Sequence, residues 1–260
     1  MKLMRIFGAT FVLSCQRDLA FRSNFIFQVL LSATSVGSGL VVLSLVYSQT
    51  VTLNGWNRGE AVVLLGTFQF MSGLLATFIE PNVTWFADQV KTGKLDDTLL
   101  KPIPGLLFIS LGTHAPVRLS EAAIGLLVLV GGLFELHLVP SVLAIATWIF
   151  MLAAGSIVMW ATRVSLACIA LWAPALQLDV VYGAIWQFGR YPVDIYRQPA
   201  RFILTYFVPI AFIATLPAQT LVRDQNIKPL IMSCIVSTVA SFLTYFVWSR
   251  GVKRYTGATS

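Results

Sequence analysis

The sequence predicts an all-α membrane protein: six transmembrane helices, an N-terminal interfacial amphipathic helix, and a proline-rich segment between helices five and six whose outer re-entrant reading rests on the resemblance given below. Three observations carry this. Hydrophobic residues make up 57% of the 260 and charged ones only 11%, against about 25% charged in a soluble domain; the mean hydropathy is +0.79. Residues 23–57, 61–79, 138–162, 202–222 and 229–249 contain no Asp, Glu, Lys or Arg, and a bilayer-crossing helix needs roughly 20 such residues. The net charge of +7 comes from Lys and Arg placed mostly at the ends of those runs. That distribution sets membrane orientation and does not build a nucleic-acid surface.

Residues 1–23 read as a helix lying on the cytoplasmic leaflet. Leu3, Ile6, Phe7, Thr10, Leu13 and Ser14 recur at helical spacing, and Lys2, Arg5 and Arg17 are placed to meet headgroups. A signal sequence cut at Cys15 is the competing reading, but its apolar part, 6–14, is short, and Arg17 and Asp18 follow at once. Span one, 24–47, contains a run of small residues over 32–39 that lets helix backbones approach closely in lipid. Span two, 60–79, stops at Glu80-Pro81. Span three, 116–135, opens with Arg118 and Glu121, an i, i+3 ion pair that makes both charges cheaper near the membrane. Pro140 starts span four, which reaches Thr162, and Arg163 marks the turn into span five, 164–187. Span six is 230–249, followed by a basic tail, 250–260.

Residues 188–229 admit two readings. In one, 202–222 is re-entrant from the outer side, and 12 Lys and Arg face inward against six outward. In the other, 142–172 is a single tilted span and 202–222 crosses, which places 15 inward and three outward. The second satisfies the positive-inside rule better. It also leaves Arg163 deep in a span and two prolines, Pro209 and Pro217, inside one helix. Composition alone does not decide between them.

The longest polar stretch, 80–104, is too short for a nucleotide-binding domain, and no G-x-x-x-x-G-K-[ST] phosphate loop occurs anywhere in the chain. Cys15, Cys168 and Cys234 lack metal or disulfide spacing. His114 and His137 stand at membrane boundaries with no partner motif, and no paired catalytic groups appear at workable spacing. No catalytic residue, metal or cofactor is therefore expected on this chain. Asp179 is the exception to charge avoidance within a span. It lies among Trp172, Gln177, Tyr182, Trp186 and Gln187, where a carboxylate and ring faces together favour an organic cation. Gln28 and Gln69 are uncharged polar residues at membrane depth. Within 80–104, Val83, Phe86 and Val90 share one helical face and Gly93 ends the helix; such a helix can dock into a groove on a soluble partner.

The stretch Gly93-Lys94-Leu95-Asp96-Asp97-Thr98-Leu99-Leu100-Lys101-Pro102 resembles the G-x-L-D-x-x-L-L-x-P signature of ABC-2-type export permeases. Phe188-Gly189-Arg190-Tyr191-Pro192-Val193-Asp194-Ile195-Tyr196 and the later Leu204-Thr205-Tyr206-Phe207-Val208-Pro209 resemble the viologen or drug exporter branch. The resemblance spans nearly the whole chain. It implies a permease of the bacterial inner membrane, with both termini cytoplasmic, that exports an amphipathic small molecule, cationic if Asp179 takes part. Energy would come from two separate ATPase subunits holding ATP and Mg²⁺, and a second permease subunit, identical or paralogous, would complete the path. It also implies the re-entrant reading of 188–229. On this reading Phe86, Gly93, Leu95, Asp96, Leu99, Leu100, Lys101 and Pro102 couple to the ATPase. Gln28, Gln69, Trp172, Asp179, Tyr182 and Trp186 line a path between the two permeases, and Tyr191, Pro192, Asp194, Pro209 and Pro217 shape an outer lid. A secondary transporter with no ATPase partner is the alternative, although the sequence has no evident internal repeat and its charges cluster at span ends.

Overall fold

Eleven α-helices follow one another among the described residues: α1 Lys2–Ala20, α2 Arg22–Gln49, α3 Arg58–Leu74, α4 Glu80–Lys91, α5 Gly105–Leu111, α6 Leu119–Glu135, α7 Val142–Cys168, α8 Leu178–Trp186, α9 Ala200–Phe202, α10 Thr215–Val222 and α11 Ile227–Val252. The computed structural model describes residues 2–20, 22–96, 100, 105–173, 176, 178–223 and 227–255, and no side chain at 2–6, 19, 20, 22, 107, 108, 111, 179 or 207. Among the described residues, five helical stretches are long and apolar enough to cross a membrane: Ser23–Gln49, Arg58–Lys91, Pro116–Glu135, Val142–Leu171 and Ile227–Val252.

Local sequence explains the helix ends. Asn54 and Gly55 both take positive φ, 50° and 82°, the conformation that Asn-Gly supplies to a tight turn. Leu53 and Trp56 exchange both backbone hydrogen bonds across it, at 2.9 and 3.1 Å. Asn57 and Glu60 then form a capping box on α3, with the Asn57 side chain accepting from the Glu60 N–H at 2.9 Å and Glu60 accepting from the Asn57 N–H at 3.0 Å. Ser141 caps α7 by accepting from the Ala144 N–H at 3.1 Å.

The closest helix pair is α3 with α6, built on glycines seven residues apart. Gly59, Gly66 and Gly73 on one helix face Gly125, Gly132 and Ala122 on the other, and a Cβ added at any of the five glycines would meet atoms of the opposing helix. A Cβ on Gly132, for example, would stand 2.8 Å from the Val63 amide nitrogen. Without side chains between them the backbones pack along their length.

Two predicted helix ends are corrected. Helix does not stop at Glu80-Pro81; it runs on from Arg58 to Lys91. Pro81 has no N–H to give the preceding turn, so the helix widens into a π-turn over Leu75–Ile79. The Thr77 carbonyl instead accepts the Ala115 N–H at 3.0 Å, and the Asn82 amide caps the Phe78 carbonyl at 2.7 Å. Nor is there a turn at Arg163. α7 passes straight through it, because the guanidinium is paired with Glu80 and needs no exit to water.

The path after α7 takes half of each sequence reading. As in the second, 142–171 is one long helix. As the first asks, both ends of 191–223 lie against the 48–59 loop. The expected fifth span is replaced by a shorter piece, α8 plus a 3₁₀ turn through Arg190, which runs from the α4 tip toward the 48–59 loop. Leu178 and Val180 lie beside Lys91 and Ala87, Trp186 bonds Ser72, Arg190 bonds Ser35, and Asp194 reaches Trp56 in the 48–59 loop. From there the chain dips to Val208 and Pro209, level with Thr162 and Ala161 of α7. It bends by 60° and climbs back along α10 to Arg223, which bonds Gly55 and Glu60. Both ends of this hairpin are therefore at the 48–59 face.

α1 does not float free. Phe7 and Phe11 pack on Phe78 and His114, Thr10 is 3.2 Å from His114 Nε2, and Asp18 accepts from the Val117 N–H at 3.0 Å. The expected apolar face is rotated: Ser14 is buried, but Leu13 points outward beside Val12.

Candidate functional site

The segments that differ from a plain helix bundle, 75–82 and 178–223, lie together and define the candidate site. At its centre Arg163, 5% exposed, donates to Glu80 Oε1 at 2.6 Å. The same guanidinium lies 4.4 Å from the Tyr182 ring centroid, and the Tyr182 hydroxyl is 3.2 Å from Thr162 Oγ1. A cation held among lipid-depth helices needs a counter-charge and a polarisable face. This junction supplies both, one from α4 and one from α8. From Tyr182 a ladder of rings climbs through Trp186, 5.9 Å away, to Phe68, a further 5.5 Å. Trp186 Nε1 donates to Ser72 at 2.9 Å.

At the 48–59 face, Trp56 is fully buried and clamps both arms of the hairpin. Its indole N–H donates to Asp194 Oδ2 at 3.3 Å, while Arg223 stacks 4.4 Å from its ring centroid. Arg201 closes on Asp194 Oδ1 at 2.6 Å. Between α2 and α8 an apolar cleft of about 480 Å³ opens, lined by Val42, Val46, Ala184, Gln187, Phe188 and Tyr191 among others. Beside it Val41, Leu45, Val180 and Val181 stay exposed.

The residues expected to line a path do not converge. Gln69 is buried and donates to Glu121 at 3.2 Å, turned toward α6. Tyr182 and Trp186 are interior packing groups, 2% and 5% exposed. Trp172 sits beside Gly251 at the far end of α11. Gln28 is half-buried on α2, and its Oε1 has no hydrogen-bond partner among the described residues. The side chain of Asp179 lies outside the described residues. Helical rotation explains the dispersal: residues adjacent in sequence or depth face different neighbours.

The residues expected to couple to an ATPase divide by exposure. Phe86 is 1% exposed and packs on Trp248, and Leu95 is fully buried. Together with Val83 and Val90 they fill the core between α4, the end of α7 and α11. The apolar stripe was legible, but its partner is this chain itself. Gly93, at φ 69°, ends α4 as expected. Asp96 is half-exposed, Leu100 is 84% exposed, and Lys91, Thr92 and Lys94 are exposed. Leu99, Lys101 and Pro102 lie outside the described residues. Of the lid residues, Tyr191 packs against Leu43, Ala61, Val62 and Leu65. Pro192 and Pro209 are buried at bends of the hairpin, and Pro217 is buried in the first turn of α10.

Sequence reasoning missed Glu80 as the partner of Arg163, Trp56 as the clamp, and Arg201. The Asn-Gly-Trp turn pointed to Trp56; nothing local pointed to the Glu80–Arg163 pair, 83 positions apart. The Arg118–Glu121 pair forms at 3.6 Å. Among the described residues no group of His, Cys, Asp or Glu could hold a metal ion.

The family model described as ABC-2 family transporter protein matches residues 34–259. The chain belongs to the ABC-2 transporter family. No curated protein and no solved structure matches it. An ABC-2 chain of this kind is a multi-pass permease subunit of an ABC transporter, and in this family the ATPase is a partner.

Proposed function

We propose that this ABC-2 permease exports an amphipathic small molecule, with its 80–104 side in the cytosol and its 48–59 side outward in a bacterial inner membrane. The observation that carries the reading is the hairpin 191–223, which enters and leaves at one face directly beside the α2–α8 cleft. Non-helical backbone at depth is tolerable only beside protein or water, so the hairpin suits a closure over a path. Of the 18 Lys and Arg, only Arg58, Arg190, Arg197, Arg201, Arg223 and Lys228 fall on the 48–59 side, as the positive-inside rule asks. Both termini are then cytoplasmic. A second permease subunit facing α2 and α8 would enclose the cleft, and ATP with Mg²⁺ would be held by separate ATPase subunits. Docking to them falls to the exposed tip after α4, Lys91, Thr92, Lys94, Asp96 and Leu100, and not to Phe86.

Single cysteines at Thr92 and Gln198 in a Cys-free background test the orientation. An impermeant thiol reagent on intact cells should label the Gln198 position and spare Thr92; equal labelling overturns the topology. Asp179→Asn tests the cargo class. Resistance to a cationic compound should fall while resistance to a neutral one holds, and an equal effect on both removes Asp179 from the path.

A further inference from the structure

Two cavities meet at the tip of the hairpin, away from the α2–α8 cleft. The first, about 370 Å³, opens between the two arms, and its polar lining is Asp194, Gln198, Arg201, Thr205, Thr215 and Gln219. The second, about 570 Å³, runs between α7 and α11 over apolar side chains that include Leu166, Val208, Ile235, Val239, Leu243 and Val247. Tyr206 lines both and is 60% exposed. A polar chamber and an apolar groove are thus divided by one phenol ring.

The charged donor of the chamber keeps unused N–H groups. Asp194 accepts from Arg201 at 2.6 Å, from Trp56 at 3.3 Å and from Gln219 at 3.4 Å, which uses most of the roughly four lone-pair sites of a carboxylate. Arg201 carries about five N–H donors, and among the described residues Asp194 is the only partner of its guanidinium. Its side chain is 48% exposed. A guanidinium with an unused edge, fixed by a neighbouring carboxylate, matches a phosphate group in shape and charge.

The groove supplies the complementary half. From Ile235 to Val247 it follows α11 for about 18 Å at 1.5 Å per residue, long enough to hold one extended acyl chain. Ile235, Val239 and Leu243 on its wall are 51–53% exposed, on a helix that crosses the membrane.

We propose that the two cavities bind one phospholipid of the bilayer, its phosphate on Arg201 and one acyl chain in the α7–α11 groove, with Tyr206 at the join. The lipid is a resident ligand that fixes the hairpin tip to α11, separate from the exported cargo.

Native mass spectrometry of the full-length protein in mild detergent tests this, with phosphatidylglycerol and diacylglycerol as probes. One phosphatidylglycerol per chain should bind, and diacylglycerol, lacking the phosphate, about tenfold more weakly. Arg201→Gln should weaken phosphatidylglycerol by a similar factor and leave diacylglycerol unchanged. Ala240→Phe fills the groove without touching the chamber and should remove both, so it keeps the test valid if Arg201→Gln fails to fold. Equal binding of the two probes, or no loss in either variant, overturns the site. In vesicles containing the complete transporter, the adduct should survive ATP turnover; its ATP-dependent release would make it cargo and overturn the resident role.

Discussion

Two stretches rich in small residues meet different fates. The α3–α6 pair uses Gly59, Gly66, Gly73, Gly125 and Gly132 to bring two backbones together. The run over 32–39 of α2 leaves Gly37 with nothing nearby and brings Gly39 only to the flexible end of Leu65, 3.2 Å from an added Cβ. In the first stretch the glycines recur every seventh residue and so define one face of a helix. In the second the small residues are contiguous and define no face. Small size permits close approach; spacing decides whether it happens. One side of the molecule is therefore packed around α3, α4 and α6, while the α2–α8 side stays open and apolar.

The largest expected effect lies on the packed side. Gly66→Val should abolish recovery of folded protein, at a cost of about 3 kcal/mol or more, because backbone atoms of Leu129 and Gly125 occupy the space. Thermal unfolding in detergent measures it. Phe86→Ala should cost about 3 kcal/mol through the cavity it leaves under Trp248. Substituting exposed Leu100 by Ala should leave the melting temperature unchanged and reduce ATPase docking; the reverse pattern would restore Phe86 as the docking residue. Arg163→Leu breaks the joint between the two sides. It should cost about 2 kcal/mol, below the usual 3–5 for a buried pair because Glu80 is 39% exposed and partly screened. The double change Glu80→Gln with Arg163→Met should recover part of that loss.

A smaller, pH-dependent effect belongs to α1. Burial beneath Phe7, Phe11 and Phe78 holds the His114 pKa below its ordinary value. The neutral ring is the packed form, so docking of α1 is complete above about pH 6.5 and weakens as pH falls through the lowered folded value. At each pH the rate of Cys15 thiol labelling in the wild type should be divided by that in His114→Asn, which cancels the falling thiolate fraction; this ratio should rise on acidification, and a ratio independent of pH overturns the switch. The smallest effect is Gly37→Val on the open side, within about 0.5 kcal/mol. A large destabilisation there would mean that a second subunit packs on α2 in the folded assembly.

Legibility in the sequence follows the same division. Charge-free runs located the long helices, and the prolines of 188–229 marked a segment whose path the sequence left open between crossing and re-entrant. What failed were inferences about partners. Arg163 was taken as punctuation because its counter-ion, Glu80, belongs to another helix. The stripe Val83, Phe86, Val90 announced a buried face without saying against what. The seven-residue glycine repeat in 59–73 was available and outweighed by the denser run in α2. Arg201 and Trp56 became meaningful only once the hairpin brought them to Asp194.

The π-turn before Pro81 has a mechanical consequence. Its surrendered carbonyl and the Asn82 side chain lash the helix to the strap at 113–115 through four bonds, Ala115 to Thr77, Asn82 to Thr113, and Thr113 to Asn82 twice. The glycine contact fastens the same helix to α6 at the opposite end. Tied at both ends, the long Arg58–Lys91 rod and α6 behave as a single girder: neither slides along its axis by a turn without shearing all of these bonds at once. A push delivered to the α4 tip would therefore pass on as tilt of the girder against α7, which it meets through Glu80 and Arg163, Phe70 and Trp148, and Met71 and Ser156.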